Sequence, residues 1–463
     1  MSASKPPIKN FEALVSIDNN DLISYRWNCT RPAYGAVGSF RAYFSREVLT
    51  NAKVNLYEIG QKAKGQVPVN FKINDLDTGA SYNIFGGEMD TVVVEYDEDI
   101  VIVEGRDWAG LLVDQKGMVA SQFVYGGKGQ VPLTGGPTPC NDAGKTAPTG
   151  ADSLVDGDLS SYTSINLIDK SPSALAYYIA IKNGFKPDIW TTAEPVTAGT
   201  LMGGTGTSPT TPRTLWETLQ YLARLLGWAC YVTPDRTLYF GPFNITETQA
   251  LSWNVFMPPP DEIPTRALRI DYNPRRNRSF LVMVSSYDVG SATRSVGMIG
   301  YVDAATLDQI KQTYPKIDVQ NSKFIVGTAG APSPYAMSAL FSDLGKPVYF
   351  YDAPNLNQNQ ASIKALEYSL EIAKRELIMH ATVDGNPYLD PMVSLTLTGD
   401  IGDFQATQYY ANGIEHSFSM EEGWYTHISA WTLPPTTNSQ FLQASGIRGV
   451  ASAPLPATRY TGP

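Results

Sequence analysis

The sequence predicts a mainly β protein of the α+β class, in which two strand-rich blocks flank a small α/β module. Three observations carry this. Val92-Val93-Val94-Glu95-Tyr96 and Ile100-Val101-Ile102-Val103 are β-branched runs on either side of the acidic turn Asp97-Glu98-Asp99, the pattern of a β-hairpin. Tyr409–Met420 and Trp424–Leu433 repeat that arrangement near the C-terminus, around Glu421-Glu422-Gly423. Between the blocks lie two short amphipathic helices with recognisable ends. Composition agrees. The 463 residues are 43% hydrophobic, 11% aromatic and only 17% charged, which favours packed cores over disorder. With 39 Gly and 32 Pro, many turns and long loops are expected.

The elements follow in order. In the first block, Ala52–Ile59 alternates, as a strand with Val54 and Leu56 on one face would, and Val69–Ile73 alternates Val, Phe and Ile. Gly105 ends the second arm of the hairpin, and Arg106–Asp114 reads as a short helical turn. Residues 118–160 are a Gly/Pro/Thr-rich loop, and 193–212 is a similar one. Ser171 can cap a helix that has Pro172 at its first position and Gly184 at its end, with Leu175, Tyr178 and Ile179 on one face. Thr214 and Glu217 form a capping box for a second helix. Its buried face is Leu215, Leu219, Leu222 and Leu226, and Gly227 stops it. Trp228–Val232 and Thr237–Phe240 make a hairpin around Pro234-Asp235.

The second block opens with Ala267–Tyr272 and Phe280–Ser285, joined by the basic turn Asn273–Asn277. Residues 288–355 read as an irregular insertion. A helix over 359–377 places Ile363, Leu366, Leu370, Ala373 and Leu377 on one face, with Lys364, Glu367, Glu371, Lys374 and Arg375 on the other. Val393–Thr398 is a further strand, and 436–463 is a Pro/Ser/Ala/Thr-rich tail. The expected units are therefore 1–117, the loop 118–160, the α/β module 161–262, a second strand domain 263–435 carrying the 288–355 insertion, and the tail 436–463. The two strand blocks could be copies of one barrel type, but periodicity alone does not establish that.

Charge and residue chemistry exclude several functions. A net charge of −10 argues against general nucleic-acid binding. Cys29, Cys140 and Cys230 build no disulfide framework, and three histidines leave little for a metal centre. No Sec-type leader and no apolar run of membrane-spanning length is visible, so no membrane insertion is expected. Gly144-Lys145-Thr146 resembles the end of a P-loop, but Pro139 stands where the leading Gly belongs and no strand precedes it. Gly203-Gly204-Thr205-Gly206 reads as linker. The acids of the two hairpin turns point into solvent rather than across a cleft. His416 and Ser417 are strand neighbours, so their side chains take opposite faces and cannot form a nucleophile–base pair. His416 and His427 could be cross-strand neighbours, without a third metal ligand. Arg266, Arg269, Arg275, Arg276 and Arg278 stand out in an acidic chain, and are candidates for a subunit interface with an acidic neighbour.

A family resemblance rests on three stretches. Phe85-Gly86-Gly87-Glu88-Met89-Asp90, followed after the hairpin by Gly105-Arg106-Asp107, Leu112 and Asp114, resembles a "G-x-x-D" strand and a "GRD-x-x-x-x-L-x-D" turn of the baseplate hub proteins of contractile phage tails, the late-control or tail-hub family. Thr214–Phe240 is similar to that family's "W-x-x-L-x-x-L-A" helix and following "LYF" strand. Gly385–Pro391 with Pro387, His416 in "V-x-x-x-x-H-x-F" and Gly423 in "G-[FY]-x-T" resemble its second barrel, although Met392 stands where Gly is usual. The resemblance implies two tube-like β-barrel domains per chain, at 1–117 and 263–435. It implies a homotrimeric structural protein with no catalytic site, no cofactor and no metal. Three chains would form a ring joining a hexameric tail tube to a trimeric central spike, with DNA only in transit through the channel. Contacts with the tape-measure protein and the baseplate wedge belong to the same expectation, as do assembly in the host cytoplasm and residence in the virion. An acid-rich channel wall would repel phosphate. The alternatives are a receptor- or glycan-binding tail protein, which would stack sugars on exposed Tyr and Trp, and a baseplate-associated cell-wall hydrolase.

Overall fold

The computed structural model describes residues 7–33, 36–63, 66–114, 116–117, 172–190, 213–226, 228–241, 248–259, 261–273, 279–288, 293–315, 317, 319–320, 324–326, 333–352, 361–362, 364–365, 368–369, 372, 377–402, 408–432 and 459–460. The first lobe contains β1 (Phe11–Ile17), β2 (Asn20–Leu22), β3 (Arg26–Pro32), β4 (Ser39–Ser45), α1 (Arg46–Asn51), α2 (Leu56–Lys62), β5 (Pro68–Asp75), β6 (Ser81–Glu95), β7 (Ile100–Asp107) and α3 (Gly110–Val113). A middle module follows, with β8 (Lys116–Gly117), α4 (Pro172–Lys182), β9 (Lys186–Trp190), β10 (Arg213–Thr214), α5 (Leu215–Leu226), β11 (Ala229–Val232) and β12 (Thr237–Gly241). The second lobe begins with β13 (Thr248–Trp253) and β14 (Glu262–Tyr272). It is interrupted by β15 (Phe280–Asp288), β16 (Thr293–Tyr301), α6 (Ala304–Thr313), β17 (Val319–Gln320), β18 (Phe324–Val326), α7 (Pro334–Asp343) and β19 (Val348–Asp352). It resumes with β20 (Leu377–Asp384), β21 (Ser394–Gly399), β22 (Gln408–Ser419) and β23 (Gly423–Trp431), and β24 (Arg459–Tyr460) comes last.

The two lobes are built on one plan. Across the first, the strands lie in the order β1-β5-β6-β7-β4-β3; across the second, in the order β13-β21-β22-β23-β20-β14. Leaving aside the short β2 and numbering each lobe's strands along the chain, both orders read 1-4-5-6-3-2. The fifth strand carries a bulge at the same place in each, between Met89 and Thr91 in β6 and between Ala411 and Gly413 in β22. The second lobe closes into a six-stranded barrel through β13 and β14. In the first lobe, no ladder joins β1 to β3 among the described residues; β3 instead pairs antiparallel with β22 over seven residues, from Arg26–Ser419 to Pro32–Gly413. One thirteen-stranded sheet therefore runs through both lobes.

Alternation along these strands sets the cores on one face of that sheet. The first core packs Trp27, Phe40, Phe71 and Phe85 edge to face, with ring centres 5.2–5.5 Å apart. The gap between β1 and β3 is filled from the other lobe. Trp424 lies 5.4 Å from Phe11, and Phe418 stacks on Trp27 at 5.7 Å. The second core gathers Leu251, Met379, Leu395, Tyr409, Ile414 and Ile428 inside the closed barrel. The middle module packs α4 and α5 against β9, β11 and β12, with Leu215, Leu219 and Leu222 buried as the spacing requires. The Thr214–Glu217 capping box is present in both directions, at 2.8 and 3.0 Å.

Several expectations are corrected. Ala52–Ile59 is not a strand. Asn55 caps α2 by accepting from the N–H groups of Tyr57 and Glu58, so Leu56 reaches the core from a helix start. Gly105 does not end β7, which runs to Asp107. A side chain there would collide with the Glu88 carbonyl and the Phe40 ring. Phe280–Ser285 does not pair with Ala267–Tyr272. It lies in a separate five-stranded sheet of order β17-β18-β16-β15-β19. Much of 288–355 is accordingly ordered, with α6 and α7 covering one face of that sheet and α-helical Ala361, Ala365 and Ile372 the other. Ile363, Leu366, Leu370 and Ala373 of the expected face fall outside the described residues, and Leu377 opens β20 instead of ending the helix. The loops 118–160 and 193–212, Ser171, Gly227 and 436–458 also lie outside them.

Met392, in the position where the resemblance puts glycine, has φ +78°, in the left-handed region. Its side chain is buried among Ala33, Ala229 and Tyr239, where the two lobes meet the middle module. The packing holds the strained backbone in place. Met392→Ala keeps the strain and opens a cavity, and should cost roughly 2–5 kcal/mol. Met392→Gly relieves about 1 kcal/mol of that loss, so urea titration should rank Gly above Ala, the reverse of the usual order.

Candidate functional site

The residues of the "GRD" stretch converge on one junction. Arg106 leaves β7 and forks onto two carboxylates. It donates to Asp90 from Nε at 2.6 Å and Nη2 at 2.8 Å, and to Asp114 from Nη1 at 3.0 Å and Nη2 at 2.9 Å. Asp90 sits in the β6 bulge and Asp114 just past α3, so one planar guanidinium ties a strand irregularity to a helix end. The two carboxylates push the Arg106 guanidinium further up and hold Asp114 below the usual range. Leu112 drops from α3 into the core of the middle module. Trp108 donates its indole N–H to the Pro234 carbonyl at 3.1 Å. Gly86 lies so close to that carbonyl and to the indole that no Cβ fits. The motif thus rivets the first lobe to the hairpin of the middle module.

Asp107 is buried beside this junction, accepting from the N–H groups of Gly38 and Ala109 at 2.8 and 2.9 Å. Burial outweighs those donors and pushes its pKa up to about 7. The lobe-to-lobe seam holds two more buried polar groups. Arg31, in β3, reaches Asp390 at 2.5 Å. His416, opposite Cys29, is fully buried, and burial drives its pKa down to about 3; Thr426 lies 3.1 Å from its Nδ1. Pro387 belongs to the Gly385–Met392 turn that carries Asp390, and Gly423, at φ +89°, opens the β22–β23 turn.

The opposite face of the sheet carries ion pairs in both lobes. Arg41 pairs with Glu104, Arg266 with Asp384, and Lys72 with Asp21. Arg266 also lies over the Tyr425 ring, 5.3 Å from its centre. Arg269 pairs with Asp271 two residues on, at 2.8 Å. Arg266 and Arg269 are thus brought together on β14, largely exposed. Arg275, Arg276 and Arg278 lie outside the described residues.

One contact was missed by sequence reasoning. His427 sits diagonally across from Ser417, with Nε2 at 3.0 Å from the hydroxyl, while its Nδ1 meets Thr382 at 3.0 Å. His416 and His427 point to opposite faces, so they do not share a ligand. The Ser417–His427 geometry is that of a nucleophile and base, but a neutral hydroxyl stands where a triad needs a carboxylate. The neighbouring strands also pair on both sides, which commits their N–H groups to ladders rather than to an oxyanion. Among the described residues, no cluster of three or more His, Cys, Asp or Glu could hold a metal ion, and no helix is long and apolar enough to cross a membrane.

This two-lobed, largely β architecture is the fold of phage tail proteins. The chain superposes on a tail protein from Neisseria meningitidis with a TM-score of 0.51 and 13% identity, covering 93% of this chain and 99% of that one. It matches the 43 kDa tail protein of a Shewanella oneidensis prophage with a TM-score of 0.50 and 12% identity, over 92% and 99%. No family model matches the chain, and no curated protein matches it in sequence.

The two perturbed groups give opposed pH dependences. Asp107 has a raised folded pKa, so the folded state binds its proton more tightly, and stability falls as pH rises from about 4 to 7. His416 has a depressed folded pKa, so the unfolded state takes up its proton first, and stability falls as pH drops from about 6.5 to 3. Between about pH 4 and 6.5 each contributes a slope of about 1.4 kcal/mol per pH unit, of opposite sign. The wild-type contributions nearly cancel there. Asp107→Asn should therefore gain stability with rising pH, and His416→Gln should lose it, when urea midpoints are compared at pH 4.5 and 6.5.

Proposed function

We propose that the protein is the structural hub of a contractile-tail baseplate. It acts as a trimer whose six lobes form a ring that adapts the hexameric tail tube to the trimeric central spike. The observation that carries this reading is the internal repeat: two lobes of identical strand order in one continuous sheet. Three such chains supply the six near-equivalent units that a sixfold tube requires, while the inserted modules keep the threefold character that a spike requires. Its role is assembly rather than catalysis. It is built into the virion tail after assembly in the host cytoplasm, next to tube and spike proteins and, further out, tape-measure and wedge proteins.

The polar face of the sheet is the wall of the channel in this reading. It spans both lobes on the side away from both cores, interrupted in the first lobe by Val93, Ile102 and Tyr43. Its arginines on β4 and β14 are already held by acids of the same chain, in Arg41–Glu104, Arg266–Asp384 and Arg269–Asp271. A guanidinium so paired has little left to offer a passing phosphate. With a chain net charge of −10, DNA would slide along such a wall rather than stick. The mass of the purified protein, measured alone and with its spike protein, tests the reading. A trimer, or a monomer converted to a trimer by the spike, is expected. A monomer indifferent to the spike overturns it.

A further inference from the structure

The repeat also shows how the ring closes, because one of its six joints lies within the chain. At that joint the C-terminal half of the second lobe's fifth strand, Gly413–Ser419 of β22, accepts the first lobe's second strand, β3. β22 is free to do so because β21 pairs only with its first residues, Gln408–Tyr410. The first lobe repeats this. β5 pairs with β6 only as far as Glu88, and Thr91–Glu95 has β7 on one side and no strand on the other among the described residues. The second lobe supplies the counterpart. β13 pairs with β14 only over Glu262–Pro264, so Arg266–Asp271 has β20 on one side and no strand on the other among the described residues. Burial marks the difference. Cys29, Arg31, Ile414 and His416 are buried at the internal joint, whereas Thr91, Val93, Val94 and Glu95 on β6 and Arg266, Ala267, Arg269 and Tyr272 on β14 are exposed. Two open, partly apolar edges on one chain are a liability unless something pairs with them.

We infer that the open edge of β14 in one copy pairs antiparallel with the open edge of β6 in the next, repeating the β3–β22 joint between chains. This deepens the ring reading and rests on it. The register follows from the two equivalent bulges and the shared strand order. Thr91 corresponds to Gly413 through the bulge, and Ile270 to Cys29 through their partners on β20 and β4. The internal pairs His416–Cys29 and Ser417–Asn28 then become Val94–Ile270 and Glu95–Arg269, and Ile414–Arg31 becomes Val92–Tyr272. Each chemistry fits. Val94 meets Ile270 on the apolar face, Glu95 meets Arg269 on the polar face, and the acidic tip Asp97-Glu98-Asp99 runs toward Ala267 and Arg266. Under the β6 edge lies a groove of about 880 Å³ lined by Leu49, Leu56, Val67, Val92, Val94 and Tyr96, open to receive Tyr272 of the neighbour. A contact between unlike edges of identical chains cannot give a two-fold dimer, and it closes into a ring when its rotation is threefold.

Disulfide trapping tests the register. The full chain carrying Glu95→Cys and Arg269→Cys in a Cys140→Ser background should give covalent dimers and trimers on mild oxidation, and nothing larger. Thr91→Cys with Arg269→Cys, four positions out of register, should not. Hydrogen exchange on the unmodified protein needs no variant: amides of 91–95 and 267–272 should exchange markedly more slowly in the trimer than in the monomer. A trimer that neither cross-links through Glu95→Cys and Arg269→Cys nor protects those amides overturns this joint and leaves the ring standing. A chain that stays monomeric with its spike overturns both.

Discussion

Everything in this structure depends on the β3–β22 ladder. Seven residue pairs of backbone hydrogen bonding join the open first lobe to the closed barrel of the second. The ladder fixes their angle, because strands paired on both sides cannot rotate without breaking hydrogen bonds in a dry environment. It also explains why only one lobe closes on itself. The first lobe leaves β1 and β3 apart, and Trp424 and Phe418 of the second lobe fill the opening. The core of the first lobe is therefore completed by the second, whose own barrel closes around a separate core.

That seam is an unusual place for polar groups, and three of them are buried near it. Arg31 with Asp390, His416 with Thr426, and Asp107 with two backbone donors each give up solvation for a fixed partner. Such groups stabilise little in net terms, since desolvation offsets most of what the partner contributes. What they supply is discrimination. A shift of β3 by one residue along β22 would move Arg31 onto the solvent face and leave Asp390 unpaired, and it would carry Cys29 and Trp27 out of the core. The buried polar groups therefore favour the register that gives Arg31 its carboxylate and His416 its hydroxyl.

Much of this was legible in the sequence, for local reasons. The two long hairpins, the Thr214–Glu217 capping box and the α3 turn are set by residues within a few positions of one another, and all are where the pattern puts them. The failures were of two kinds. Ala52–Ile59 alternates over too few residues to separate a strand from a helix entry, and the Asn55 cap decided it. Phe280–Ser285 was assigned to the wrong sheet because nothing in a strand's own sequence names its partner. Its neighbours, β16 and β19, lie beyond a basic turn that looked like a hairpin loop. The site was legible only as a motif. Gly86, Asp90, Arg106, Asp107, Leu112 and Asp114 could be picked out, but the sequence does not say that Arg106 forks between Asp90 and Asp114, nor that Pro234, far along the chain, lies against Gly86. The Ser417–His427 contact was invisible because it is diagonal across a hairpin whose register the sequence leaves open.

The placement of charge joins the parts. An acidic chain could spread its few arginines over any surface, yet Arg41, Arg266 and Arg269 stand on the one face that spans both lobes, each beside a carboxylate. Pairs this exposed contribute little to stability, so a folding role does not account for them. On the channel reading proposed above, neutralisation does. A sheet surface needs alternating polar residues to stay out of the core, and long arginine side chains cover strand backbone well. Holding each guanidinium against an acid keeps that cover and, on the channel reading, leaves it less to offer a phosphate. On the same reading Arg269, at the margin of β14, spends its Nε on Asp271 and would turn the rest of its guanidinium to an acid of a neighbouring copy.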